Sequence, residues 1–490
     1  MTAPLADAAA GDVVAYRWRW PALLVLLAAE VMDLLDALIT NIAAPTIRAD
    51  IGGGETTIQW LGACYTLSMA VGLITGGRLG DIYGKKRMFL IGAVGFGTGS
   101  LLCAVAWSPG VLIAARVVQG LFGAVMLPQG LGMIKEMFPP KEMGAAFGLF
   151  GPIMGLSSVG GPVLAGWLID ADFFGTGWRM IFIINLPLTL LAVLAGWRVL
   201  PEVRTATPPR LDLVGMALVT AAGLLVIYPL VQGREQDWPA WMFVMIAASV
   251  VLFALFGWYA VAKQRAGGDP LVVPALFRKR GFSGGLVTGL VFFSGIAGFS
   301  LVFSLYVQIG LGYGPLDAGL AALPWSIGTV LGFGVAAGLV GKLGRLLVHI
   351  GMTIMVGGVL GLLLTLELTD GMSGGASLWT LAPALIVTGL GMGMVMSPFF
   401  DIVLAGVEQQ ETGSASGALT AVQQLGGAFG VALLGTVFFG VGPAAHAAPA
   451  GGFGEAMRVT LWVVAGMFAL AFVVAFLLPP RAREEDGAYH

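Results

Sequence analysis

Three carboxylates, Glu30, Asp33 and Asp36, stand three residues apart in one apolar run, WPALLVLLAAEVMDLLDALITNIAAP, residues 20–45. At about 100° per residue they fall within roughly 120° of arc on one side of a helix. An ionisable group at the middle of a membrane helix costs about 2.5–3.5 kcal/mol on insertion scales. Three on one face point to a water-filled path and to binding of protons, ions or substrate. The competing reading is a buried hydrogen-bonding role for one or more of them. One cation, Arg116, also falls inside an apolar run. Its guanidinium stays protonated and must be paired or wet, with Glu30, Asp33 and Asp36 as candidate partners. A nearby cation favours the ionised carboxylate and burial favours the neutral one. A group balanced between them can change protonation as water reaches it from one side and then the other. The alternative for Arg116 is a permanent structural ion pair.

About 26 residues at 1.5 Å each give roughly 39 Å, enough to cross a bilayer. The chain has 490 residues, 58% apolar and only 11% charged, against about 25% charged in soluble domains. It reads as a polytopic membrane protein. Its net charge of −2 gives no case for nucleic-acid binding. The 75 glycines suit close helix packing without a hydrophobic drive between helices. Cys64 and Cys103 lie in apolar runs and read as packing residues, with no disulfide or metal pattern. Residues 1–16, polar and small, are not expected to form a cleavable signal.

Fourteen spans are expected: 20–45, 57–77, 88–106, 110–134, 144–170, 178–199, 211–231, 239–262, 282–310, 316–341, 348–367, 377–404, 416–440 and 456–478. With a cytoplasmic N-terminus, twenty of the 25 basic residues lie inside. Arg48, Arg179, Arg234 and Arg458 lie outside, and Arg116 within a span. Both termini are then cytoplasmic. The basic loop GGRLGDIYGKKR after the second span has a shorter echo, GLVGKLGR, after the tenth. The expected organisation is a tail 1–19, a six-helix half 20–200, an inserted pair 211–262, a second six-helix half 282–478 and a tail 479–490. Repeated halves with a site between them are a transporter architecture.

With these motifs in place the chain resembles the major facilitator superfamily, in particular its fourteen-helix drug:proton antiporter branch. Leu35-Asp36 with Asn41, Ala43 and Pro45 is similar to that branch's first-helix signature, with Leu38 where a threonine is usual and Thr40 two positions on. Glu30 and Asp33 are additional to the pattern. Gln59-Trp60 and Tyr65 resemble its second-helix pattern. Gly77 to Arg87 resembles the superfamily's loop motif, departing at Ile82. Arg116, Gln119 and Gly120 resemble the fourth-helix motif. Gly161-Pro162 with Gly166 resembles the fifth-helix antiporter motif, with Ser157 and Ala165 replacing glycines. Trp178-Arg179, Phe182, Asn185 and Pro187, then Gly413, Ser416, Gly417, Gln424, Gly426 and Gly427, also fit the branch.

The resemblance implies a bundle of two six-helix halves plus two inserted helices. The proton-coupling candidates are Asp36, Asp33, Glu30 and Arg116, and the resemblance implies that the arginine assists the proton transfer. It implies a conformational latch at Gly77, Asp81, Gly84, Lys85, Arg87 and Glu136, against the plainer reading of a loop kept inside by its charge. Gly161, Pro162 and Gly166 would form the antiporter-motif hinge, with close packing as the bland and compatible reading. Cavity candidates are Asn41, Gln59, Trp60, Tyr65, Gln119, Asn185, Gln308 and Gln424. Asp401 is the acidic residue of the second half to watch.

The favoured function is a proton-coupled exporter, an antiporter moving amphipathic drug-like compounds, cationic ones among them, by alternating access. One alternative is a dedicated exporter of a single endogenous metabolite or lipid. Another is a non-transporting sensor, which has no reason to carry intramembrane charge. An ATP-driven pump is disfavoured, for no G-x-x-x-x-G-K-[ST] loop occurs. An enzyme is disfavoured too: His349, His446 and His490 do not look catalytic. No cofactor or metal is expected, and the protein is expected to be a monomer in a bacterial cell membrane.

Overall fold

A computed structural model describes residues 16–139, 142, 149–202, 210–369, 377–404, 407, 412–441 and 452–479. The expected tails, His446, His490 and the start of the span expected at 144 therefore lie largely or wholly outside the described residues. Among these there is no strand; fourteen long helices run back and forth. In order they are α1 (Arg19–Ile51), α2 (Glu55–Tyr83), α3 (Lys85–Ala104), α4 (Pro109–Met137) and α5 (Phe150–Asp170). Next come α6 (Gly177–Val199), α7 (Leu213–Gln232), α8 (Ala240–Arg265), α9 (Arg280–Gly310) and α10 (Pro315–Leu343). The last four are α11 (Arg345–Thr369), α12 (Leu378–Leu404), α13 (Thr412–Val441) and α14 (Gly452–Val474). Twelve are long and apolar enough to cross a membrane. The other two are α1, with its three carboxylates, and α5. The chain is an all-helical, multi-pass membrane protein.

Local chemistry sets the ends. Ser108 caps α4 by accepting from the Val111 N–H, with Pro109 at the first helical position. Gly84 turns the chain between α2 and α3 at φ 100°, a conformation that costs glycine little. Helix α1 does not stop at Pro45 but continues to Ile51. Proline lacks an N–H and so frees the carbonyl four residues back, that of Asn41. Ser304 Oγ of α9 donates to that oxygen at 3.2 Å, and Gln308 Nε2 donates to the Ile42 carbonyl at 3.0 Å.

Helices α1 to α6 pack on one another, and so do α9 to α14. Close approach inside the first group is purchased by glycine: Gly92, Gly95 and Gly99 of α3 lie against Met126, Phe122 and Gln119 of α4. We call the end where α1 begins and α14 finishes the basic end. At the opposite end the two groups touch on both sides. Gly166 of α5 lies on Leu316, and Gly319 of α10 lies on the Pro162 backbone. On the other side Gln59 of α2 meets Gly435 of α13. Toward the basic end Gly334, Gly338 and Gly341 of α10 have nothing within 4 Å of where a side chain would start. Helices α7 and α8 pack together, and α7 rests on both α2 and α13.

Candidate functional site

Asp36 is 1% exposed and is surrounded by donors from two other helices, α4 and α6. Arg116 of α4 pairs with Asp36 Oδ2. Gln119 Nε2, one turn further along α4, donates to Asp36 Oδ1 at 2.9 Å, and Asn185 Nδ2 of α6 donates to the same oxygen at 2.8 Å. Arg116 Nη1 also donates to Gln119 Oε1 at 2.8 Å, and Arg116 Nε to the Leu61 carbonyl at 3.4 Å. The pair is thus hydrogen-bonded on both sides, as burying two charges requires.

Ser100 of α3 completes the cluster. Its Oγ accepts from Gln119 Nε2 at 2.7 Å and from Asn185 Nδ2 at 3.0 Å. Ser100, one hydroxyl in an apolar run, was not among the expected site residues. The signal was its neighbour Gly99, whose missing side chain lets the α4 backbone at Gln119 come close.

The three carboxylates of α1 share a face but not a setting. Asp33 is half-buried and accepts from the Tyr65 hydroxyl. The Tyr65 ring lies under Arg116, with the guanidinium carbon 4.0 Å from the ring centre. Tyr65 therefore touches both Asp33 and the cation of the Asp36 pair. Glu30 is half-buried and makes no hydrogen bond or ion pair among the described residues.

The other expected site residues are dispersed. Asn41 and Gln308 sit at the opposite end, in the contact between α1 and α9 described above. Gln59 is 2% exposed, with its Oε1 unpaired. Trp60 turns away from the cluster, its ring 6.2 Å from that of Tyr228 on α7. Gln424 is half-buried on α13. Asp401 is exposed on α12. Gly161 lies against Leu35 and Leu38 of α1, while Pro162 and Gly166 meet the start of α10.

The expected latch residues pair within the first group of helices. Lys85 Nζ lies 3.9 Å from Asp81 and 3.4 Å from Glu136, joining α2, α3 and α4. Gly77 packs on Pro128, and Arg87 is exposed. The residue of this loop that reaches outward is Arg78. It donates to the carbonyls of Arg210 at 2.8 Å and Asp269 at 3.1 Å, and to that of Pro270. The sequence reading gave Arg78 only a topological role.

Beside it, Asp212 caps α7 and accepts from Gly215 N–H at 3.0 Å, Leu271 N–H at 2.6 Å, Tyr259 Oη at 2.8 Å and Lys263 Nζ at 2.8 Å. Burial pushes this carboxyl up, but the Lys263 ammonium and the other donors outweigh it and hold the group below its ordinary 3.8. Arg78 and Asp212 together pin the segment between α8 and α9, residues 266–279, across the basic end.

The Major Facilitator Superfamily profile matches residues 26–431. A "Probable actinorhodin transporter" of Streptomyces coelicolor is 44% identical, over 99% of this chain and 96% of its own. The "Puromycin resistance protein pur8" of Streptomyces alboniger is 34% identical, over 96% and 94%. The "Tetracenomycin C resistance and export protein" of Streptomyces glaucescens is 32% identical, over 85% and 76%. A crystal structure of a D-xylose-proton symporter superposes with a TM-score of 0.64 at 16% identity, over 94% of this chain and 98% of that one, a likeness of fold alone. A buried, fully paired charge cluster inside a fourteen-helix bundle, the matching profile and these relatives agree: the chain belongs to the Major Facilitator Superfamily and is a membrane transporter rather than an enzyme.

Proposed function

We propose that the protein is a proton-driven exporter of small amphipathic compounds, an antiporter built from halves 20–200 and 282–478 with the pair 211–262 inserted. The observation that carries this reading is the graded setting of the α1 carboxylates: Asp36 fully paired, Asp33 held by one phenol, Glu30 without a partner among the described residues. A structural ion pair needs only the first of these.

Arg116 stays protonated whatever the pH. Protonating Asp36 would leave that cation buried and unpaired, at a cost of about 3–5 kcal/mol. The proton can therefore reach Asp36 only if Arg116 finds another anion. Asp33, joined to the guanidinium through Tyr65, is the anion to hand. Exchange of Arg116 between Asp36 and Asp33 moves a proton one step along α1, and Glu30 extends the path toward the basic end. With that end facing the cytoplasm, as its Lys and Arg content favours, contacts concentrated at the opposite end correspond to an inward-facing state. There Asp81, Lys85 and Glu136 would stand ready to latch the cytoplasmic side in the other state.

The relatives' names favour export of a resistance compound, and at 44% identity a transporter named for one compound supports a dedicated substrate over a broad drug range. The test uses purified protein in liposomes loaded with a pH-sensitive dye, under an imposed pH gradient, with actinorhodin, puromycin, tetracenomycin C and a lipophilic cation offered in turn. Substrate-dependent proton flux, lost in Asp36→Asn while the protein stays folded, is expected. Undiminished uphill transport by Asp36→Asn would sink the coupling assignment. Flux with one compound only would select the dedicated reading.

A further inference from the structure

A cavity lies on the reverse side of α2 from the carboxylates. Tyr65 and Leu67 stand two residues apart and so project to nearly opposite sides of the helix. On the Leu67 side, α2 presents Leu67, Ala70, Val71 and Ile74 to a space of about 380 Å³. From α13 come Ala418, Ala421, Val422 and Leu425, at the same i, i+3, i+4, i+7 spacing. The third wall is α8, through Phe253, Phe256 and Gly257. The pinned segment after α8 closes the basic end with Leu271, Val272 and Pro274. Three helices thus turn apolar stripes toward one shared space beside the line where α2 and α13 meet.

A volume this large falls in the range of small-molecule sites. Water would find almost no hydrogen-bond partner on such walls. Left empty, the lining would forfeit its dispersion contacts. An uncharged hydrocarbon body satisfies both conditions. The outer face of α8, with Val250, Val251 and Trp258 exposed, forms the periphery of the bundle, so the cavity is one helix away from lipid.

We propose that this cavity is a binding site for an uncharged hydrocarbon moiety, an acyl chain of a surrounding lipid or the apolar body of a lipophilic compound, seated on the α2–α13 seam. That seam joins the two halves, so an occupant here bears on their relative motion. The proposal goes beyond the coupling mechanism and does not depend on it, because binding needs no proton gradient.

The test is photolabelling of the full-length protein in nanodiscs. One probe is phosphatidylglycerol carrying a diazirine near the end of an acyl chain; the other is a small uncharged aryl diazirine. Labels on residues 67–74 and 418–425 are expected. Gly257 has nothing within 4 Å of where a side chain would begin, so Gly257→Phe can grow into the space without a backbone clash. It should cut labelling of both stripes severalfold, leave the exposed Val250–Val251 face labelled as before, and contrast with an inert Gly257→Ala. Ala421→Phe fills the space from the opposite wall and replaces Gly257→Phe if that variant fails to fold. Labelling by the lipid probe alone identifies an acyl chain. Labelling by the aryl probe that excess unlabelled lipid does not displace identifies a lipophilic compound. Absence of both labels from the two stripes, or labelling unmoved by either filling variant, overturns the proposal.

Discussion

The two six-helix groups differ in what they bury. In α1 to α6 the buried polar side chains include Asp36, Arg116, Gln119, Gln129 and Asn185. In α9 to α14 they are hydroxyls and His349 among the described residues, and the centre is aromatic. Phe399 lies 5.9 Å from Phe293 and 6.4 Å from Phe292 between ring centres, with Phe400 at 5.5 Å. A charge cluster is expensive in lipid and keeps its place only when every partner is present. A phenylalanine cluster is held by shape. The lesson is a difference in what holds each group together: paired charges in the first, the shape of packed aromatic rings in the second.

Replacing Arg116 should break this contrast most severely. Arg116→Met strands Asp36, and the expected loss is about 3–5 kcal/mol together with all uphill transport. Thermal unfolding and dye-loaded liposomes read the two effects. Phe399→Ala, fully buried on the aromatic side, should cost about 3 kcal/mol in stability yet leave the pH profile of transport where it was. A shifted profile would erase the distinction between the halves.

Asp212→Asn tests the pinned segment between them and should cost about 1.5–3 kcal/mol. The native carboxyl is held below 3.8, so its contribution is present above that value and lost as pH falls through the depressed one. The gap in melting temperature between native protein and variant should therefore be constant from about pH 5 to 8 and close only in stronger acid. Glu30→Gln should have the smallest effect on stability, since no partner is lost, while changing the pH dependence of transport. Superimposable profiles would remove Glu30 from the path.

Much of this was legible in the sequence. Apolar length and proline punctuation locate fourteen helices, and a three-residue spacing puts the carboxylates on one face. Arg116 as a lone intramembrane cation already pointed to the three carboxylates of α1 as its candidate partners. What could not be read was the ranking of the carboxylates, because it depends on which side chains of α2, α4 and α6 arrive opposite each one. Ser100 was hidden for the same reason. Trp60 faces α7 because that inserted helix packs on α2, a contact between residues far apart in the chain. Asp212 gave no signal at all: as a capping residue before a span it looks ordinary, and its partners Tyr259 and Lys263 come from the end of the next helix.

The contacts between α2 and α13 run for about four turns, from Gln59 on Gly435 through Thr66 on Gly427 to Ile74 on Gly417. Helix α7 is laid along that line, and Arg234 just beyond its end bonds to both members, to Glu55 and to the Phe439 carbonyl. Those between α5 and α10, among the described residues, gather at one end only. Under the alternating access proposed above, such a body would open like a book rather than a pair of tongs, with α2, α13 and α7 as its spine and α5 and α10 as its fore-edge, so that a cargo would part the pages on the side remote from the inserted helices.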